Sequence, residues 1–214
     1  MFGTSGSLAL VGPGAACYQV PMSHLQTFID DCHGIMREFV QPADIVLEIA
    51  PRMISLLDHS GEFLGDSHRD PDQRKYARHE VYTSPEGNLS LFSMVWLPGQ
   101  WTPVHDHATW GVVGIVDGML EERNFIRSDK RERSDSGIIL RRGGVSLLRP
   151  GTVTTFVPNP DHIHRTGVPR ARQTTVTLHL YGRHLQNYNV YDLELGRRYP
   201  IELSPEAEIA APGV

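Results

Sequence analysis

His105 and His107, in the segment Pro103-Val104-His105-Asp106-His107, are the pair in this chain best placed to do chemistry. The segment reads as a strand. Side chains alternate across a strand with period two, so both imidazoles point to one face and Asp106 to the other. Two imidazoles one pleat apart can reach a single metal ion. A third can come from His162 or His164, in Asp161-His162-Ile163-His164-Arg165. Imidazole suits iron, zinc, copper and nickel, and three nitrogens on one side of an ion leave positions open for substrate and oxygen. A His-x-His pair standing alone is often a surface feature. Here it lies inside a strand-rich region with a second histidine cluster downstream, which favours a metal centre. A further polar stripe runs along Thr175–Gly182, where alternation puts Thr177, His179 and Tyr181 on one face and Leu178 and Leu180 on the other.

The elements that must position these residues are read from periodicity. Ser23 can cap a helical segment whose Leu25, Phe28, Ile29, Cys32, Ile35, Met36 and Phe39 recur at three-and-four spacing. Gln41-Pro42 breaks it. Asp44 can cap a second segment holding Ile45, Val46, Ile49, Ile54 and Leu57, which Pro51 should split or kink. Residues 61–75 are polar and loop-like. From Tyr76 onward, strands are expected at 76–82, 89–97, 103–107, 110–116, 119–126, 137–141, 145–148, 153–157 and 173–181. Turn residues separate most of them, Gly143-Gly144 included. Many short strands at turn spacing, with helices in front rather than between, give a mainly β fold and not a βαβ sheet.

Composition narrows the function classes. The chain has 214 residues, 11 of them histidine, and a formal net charge of −5. That length supports one domain with a sizeable core. The charge balance argues against nucleic acid or an anionic membrane as a partner, and no stretch reaches the ~20 apolar residues of a membrane span. Residues 1–22 lack a basic start and are broken by Gly12, Pro13 and Gly14, so they read as a flexible tail and not a signal peptide. Cys17 and Cys32 are too few for a disulfide framework and are expected as reduced thiols in a cytoplasmic protein.

The stretch from Gly99 to Gly118 resembles the first cupin motif. Five residues separate Gly99 from His105, the His-x-His follows, and six residues separate Gly111 from Gly118. The motif's Glu position holds Gly111. Gly144, Pro150-Gly151 and His164 loosely resemble the second motif, with Val168 where that motif has Asn. Cupins with three histidines and no Glu resemble the thiol dioxygenases, iron(II) enzymes that convert a thiol to a sulfinate with O2. Three neutral ligands cancel none of a metal's charge, which favours an anionic thiolate partner. The Thr177-His179-Tyr181 stripe is similar to that family's Ser-His-Tyr relay. Tyr76-Ala77-Arg78 is similar to the Tyr-x-Arg of cysteine dioxygenases, whose Arg holds the substrate carboxylate. The position where the 3-mercaptopropionate branch carries its Arg is Val190 here, although Pro98–Gly114 looks closer to that branch.

The resemblance implies a double-stranded β-helix, or jelly-roll, barrel in a single domain over 23–214. A helical layer would cover 23–60, the barrel about 76–185, and residues 186–214 would form a C-terminal extension. It implies iron(II), Fe(2+), on His105, His107 and His164, with His162 as a neighbour or alternative, since the family's third ligand precedes an Arg. Tyr76 and Arg78 would bind substrate, and Tyr181, His179 and Thr177 would act catalytically. The reactants would be O2 and a small thiol such as cysteine or 3-mercaptopropionate, with the oligomeric state open. No Cys–Tyr cross-link is expected, because the aligned position is Gly111. Two alternatives share the ligands: a cupin metalloenzyme of a non-thiol substrate, and a non-catalytic cupin that binds a small ligand.

Overall fold

The computed structural model describes residues 23–131, 133–158 and 162–202. The expected tail, 1–22, lies outside the described residues, as do Cys17 and residues 203–214.

Two helices lead. α1 (His24–Glu38) begins where the Ser23 hydroxyl accepts from the Gln26 amide at 3.2 Å. α2 (Pro42–Asp58) follows and differs from expectation twice. Its N-cap is Gln41, with Pro42 opening the helix, so Asp44 sits inside the first turn, where its charge complements the helix dipole. Pro51 neither splits nor ends it. Pro51 and the residue one turn earlier, Leu47, are both exposed, so the carbonyl that loses its amide partner faces water.

The strands are β1 (Ala77–Thr83), β2 (Ser90–Trp96), β3 (His105–Asp106), β4 (Gly111–Asp117), β5 (Leu120–Arg127), β6 (Leu140–Leu148), β7 (Val153–Phe156), β8 (Ile163–Gly167), β9 (Thr175–Tyr181), β10 (Asn187–Asp192) and β11 (Arg197–Glu202). They form two antiparallel sheets, β1-β2-β9-β4-β7 and β11-β10-β3-β8-β5-β6. This is the double-stranded β-helix that the sequence implies.

Three parts of the sheets differ from the sequence reading. Gly143-Gly144 is not a turn. β6 runs through it, with two residues opposing one between Arg123 and Phe125. That is a bulge, and a Cβ at Gly143 would come 3.1 Å from the Asn124 carbonyl oxygen. β8 is a strand of its own. The chain after 185 adds β10 and β11 to the second sheet, with Val190 paired to His105 and Asn189 to Asp106.

The central strands of the first sheet, β2, β9 and β4, are largely buried on both faces. Leu178 and Leu180 of β9, with Leu91 of β2 and Val112 of β4, join Ile49, Met53, Leu56 and Leu57 of α2 in one core. Tyr181, Phe92, Met94, Trp96, Val113 and Phe156 turn the other way, into the barrel. The helical layer thus covers the apolar face of β9 so that its alternate residues can line the interior. Met53 is fully buried in this layer. Met53→Ala should lower unfolding stability by about 2–5 kcal/mol, the usual cost of truncating a buried long side chain. Urea denaturation would check it, and a loss below 1 kcal/mol would show that α2 is loosely docked.

Candidate metal centre and substrate cavity

The three histidines meet inside the barrel. His105 lies on β3 and pairs in register with His164 of β8, and His107 follows β3 directly. The Nε2 atom of His107 is 3.2 Å from that of His105 and 3.3 Å from that of His164. All three side chains are buried. The outer nitrogens show which way two of the rings are protonated. His105 Nδ1–H donates to the Pro103 carbonyl at 3.0 Å, and His164 Nδ1–H to Glu122 Oε1 at 2.7 Å. Both Nε2 lone pairs therefore point inward. Burial, then the neighbouring histidines, pushes the His105 and His107 pKa values well below the ordinary value, so these rings are neutral.

Lone pairs converging in a buried space call for a cation. A divalent ion about 2.0–2.1 Å from each imidazole would space neighbouring nitrogens by roughly 3.0–3.4 Å, the separation found here. The donor set therefore fits a metal. His162 is not part of the convergence. Its ring lies face to face with Phe156, centroids 4.9 Å apart, and its Nε2 is 3.4 Å from Glu122.

The missing carboxylate ligand has a steric counterpart. A Cβ on Gly111 would sit 2.3 Å from the Phe156 ring, which packs against His107 with centroids 5.1 Å apart. An aromatic ring thus occupies the space that a side chain at 111 would need. Cys32, the described cysteine, is buried in the helical core, where burial raises its thiol pKa.

The stripe on β9 is hydrogen-bonded end to end. His179 Nε2 lies 2.9 Å from Thr177 Oγ1 and its Nδ1 lies 3.2 Å from the Tyr181 hydroxyl. Trp96 Nε1–H donates to Thr177 Oγ1 at 3.0 Å. Two proton arrangements satisfy this chain. In one, Tyr181 donates to His179, which donates to Thr177, and Thr177 donates to the Met94 carbonyl, 3.4 Å away. In the other, Thr177 donates to His179, which donates to Tyr181, and the phenol proton is free to point into the barrel. Burial raises the Tyr181 pKa, so it remains a phenol.

These groups share a cavity of about 30 Å³ lined by the three histidines, Tyr76, Arg78, Trp96, His179, Tyr181 and Tyr188 among others. Arg78 enters from β1 with its guanidinium 4.8 Å above the Phe92 ring, and Tyr76 stacks on Trp96 at 4.6 Å. Arg78 is half-buried and lines the cavity. Every predicted site residue faces this cavity except Thr177, which reaches it through His179. Sequence reading missed Glu122, Trp96, Phe156 and Tyr188. Glu122 left a signal, an acidic residue at the same strand parity as the apolar Leu120.

Against known proteins, residues 21–194 match the cysteine dioxygenase type I family. The chain belongs to that family. Solved structures align more distantly. A double-stranded β-helix protein of Klebsiella pneumoniae is 13% identical, with TM-score 0.43 over 59% of this chain and 93% of that one. An acetylacetone dioxygenase from Acinetobacter johnsonii is 16% identical, with TM-score 0.42 over 65% and 82%. Family membership implies dioxygenase chemistry, with O2 and a small molecule as reactants. No helix among the described residues is long and apolar enough to cross a membrane.

The relay makes a pH prediction. Burial, with His164 nearby, lowers the His179 pKa to about 3. An unfolded chain would protonate that residue below its ordinary value of about 6.5, while the folded protein would not, so stability is lost as pH falls from there. Between pH 6 and 4 the metal-free protein should lose stability more steeply than His179→Gln, by about 1.4 kcal/mol per pH unit. Parallel urea-midpoint curves would contradict a buried neutral His179.

Proposed function

We propose that the protein is a non-haem iron(II) thiol dioxygenase that oxidises a small carboxylate-bearing thiol to its sulfinate. The observation carrying this reading is the charge pattern of the cavity. It holds the three-histidine cluster and Arg78, and no carboxylate among the described residues lines it. A doubly negative thiolate–carboxylate would answer a cation held by the histidines and the Arg78 guanidinium, and the small enclosed cavity favours a small molecule. Cysteine, 3-mercaptopropionate and mercaptosuccinate all meet this description.

Iron(II) held by His105, His107 and His164 would supply the redox chemistry that joins O2 to sulfur, with overall balance RS⁻ + O2 → RSO2⁻. The protein's own groups bind and orient. The planar guanidinium of Arg78 can take the carboxylate through two parallel hydrogen bonds, and its place over the Phe92 ring holds it at the cavity. Tyr181 holds a proton at its hydroxyl and can direct it into the cavity when Thr177 donates to His179. Trp96 supports both sides of the cavity. Its N–H anchors Thr177 and its ring stacks on Tyr76. Holding two reactants in one small space supplies much of the acceleration.

The test is oxygen uptake by the iron(II)-loaded protein with each of those three thiols, with the product weighed by mass spectrometry. One thiol should consume one O2 per sulfinate formed. Silence across the panel with iron bound would overturn the reading in favour of a non-thiol substrate. Within the active case, Arg78→Ala should raise KM about tenfold or more while iron content is unchanged. An unaltered KM would place the carboxylate elsewhere. Tyr181→Phe should lower kcat by about 10²-fold or more with iron retained.

A further inference from the structure

We propose that Glu122 sets the charge and redox balance of the metal centre through His164, acting one imidazole away from the ion in place of the carboxylate ligand that Gly111 excludes. This rests on the three-histidine metal reading above.

Glu122 projects inward from β5, 3% exposed. Its Oε1 accepts from His164 Nδ1–H at 2.7 Å and lies 3.4 Å from His162 Nε2. Among the described residues no Lys or Arg forms an ion pair with it. With imidazoles as its ion-pairing partners and no permanent cation beside it, this buried carboxylate is costly unless a positive charge is held nearby. The compensating charge fits on the far side of His164, at the inward-pointing Nε2, where the three nitrogens converge. A carboxylate so placed fixes the ligand's tautomer, raises its basicity, and stabilises a trivalent ion more than a divalent one. The rest of the corner keeps the carboxylate in place. His162 lies flat on Phe156, and Phe156 fills the space beside Gly111 and packs on His107. The first ligand shell is therefore left neutral, and the nearest negative charge sits behind one of its members.

The test separates position from charge. Glu122→Gln keeps an oxygen able to accept from His164 Nδ1–H but removes the charge, whereas Glu122→Ala removes both. Iron(II) affinity would be measured by chelator competition and the iron(III)/iron(II) midpoint by a redox titration followed by electron paramagnetic resonance. The metal-free melting temperature would be recorded alongside. In Glu122→Gln, iron(III) affinity should fall about tenfold more than iron(II) affinity, raising the midpoint by about 59 mV for one electron. In Glu122→Ala, iron(II) affinity should also fall by roughly 10–100-fold. An unchanged midpoint in Glu122→Gln would overturn the proposal. So would a Glu122→Ala protein that melts earlier yet keeps the parent affinity and midpoint, because a purely structural carboxylate behaves that way. Failure of the underlying reading shows separately, in the parent: it would take up no iron(II), or would bind it as well after His105→Ala.

Discussion

Three buried imidazoles whose nitrogens converge, with His107 Nε2 3.2 Å from that of His105 and 3.3 Å from that of His164, are the constraint on which the rest of this structure depends. Protonated rings would repel, and neutral rings with lone pairs inward would be unsatisfied. The arrangement is stable only if each ring is fixed from outside and a cation completes it from within. The surrounding chain supplies the outside. The Pro103 carbonyl holds His105, Glu122 holds His164, and Phe156 packs on His107. Asp106, pointing away from the two histidines it separates, accepts from Asn189 Nδ2 at 2.8 Å and from the Tyr191 hydroxyl at 2.6 Å. β10 thereby ties down a metal strand only two residues long. Arg183 adds a further fixed point, donating to the His107 carbonyl at 2.9 Å.

How far the sequence could be read follows from which interactions are local. Period-two alternation sufficed for Thr177, His179 and Tyr181, since a strand buried on both faces still sorts its side chains by parity. The same rule brought His105 and His107 together. Choosing His164 over His162 needed a family resemblance, because both imidazoles are separated by one residue and face alike. The distinction lies in the partners, a carboxylate and a phenyl ring from β5 and β7, which are far away in sequence. Those partners were themselves missed for that reason. The misjudged elements have the same origin. Pro51 stays inside α2 because its orphaned carbonyl faces solvent, and Gly143-Gly144 makes a bulge because β5 continues alongside it. Both are decided by tertiary surroundings that the local pattern does not contain. β10 and β11 escaped because the partner that makes β10 a sheet strand is the two-residue β3, far away in sequence.

The two sheets divide the work. His105 and His164, with the Glu122 carboxylate, belong to the β11-β10-β3-β8-β5-β6 sheet. Arg78, Trp96, Thr177, His179 and Tyr181 belong to the β1-β2-β9-β4-β7 sheet, which the helices back. The cavity is the gap between them. On the proposed function, binding of the ion falls to one wall, and the anchoring of substrate and the placing of a proton to the other. His107 stands at the seam, on the segment joining β3 to β4, and Phe156 of β7 leans on it from the substrate-side sheet. This division explains why Gly111 matters although it bears no chemistry. It lies on the β1-β2-β9-β4-β7 sheet, where a carboxylate reaching across to the histidines would displace Phe156. In the proposed reading the negative charge of Glu122 lies on the wall that carries His105 and His164, behind His164 and away from an anionic substrate. The cavity itself then presents only positive and neutral groups to the molecule that enters it.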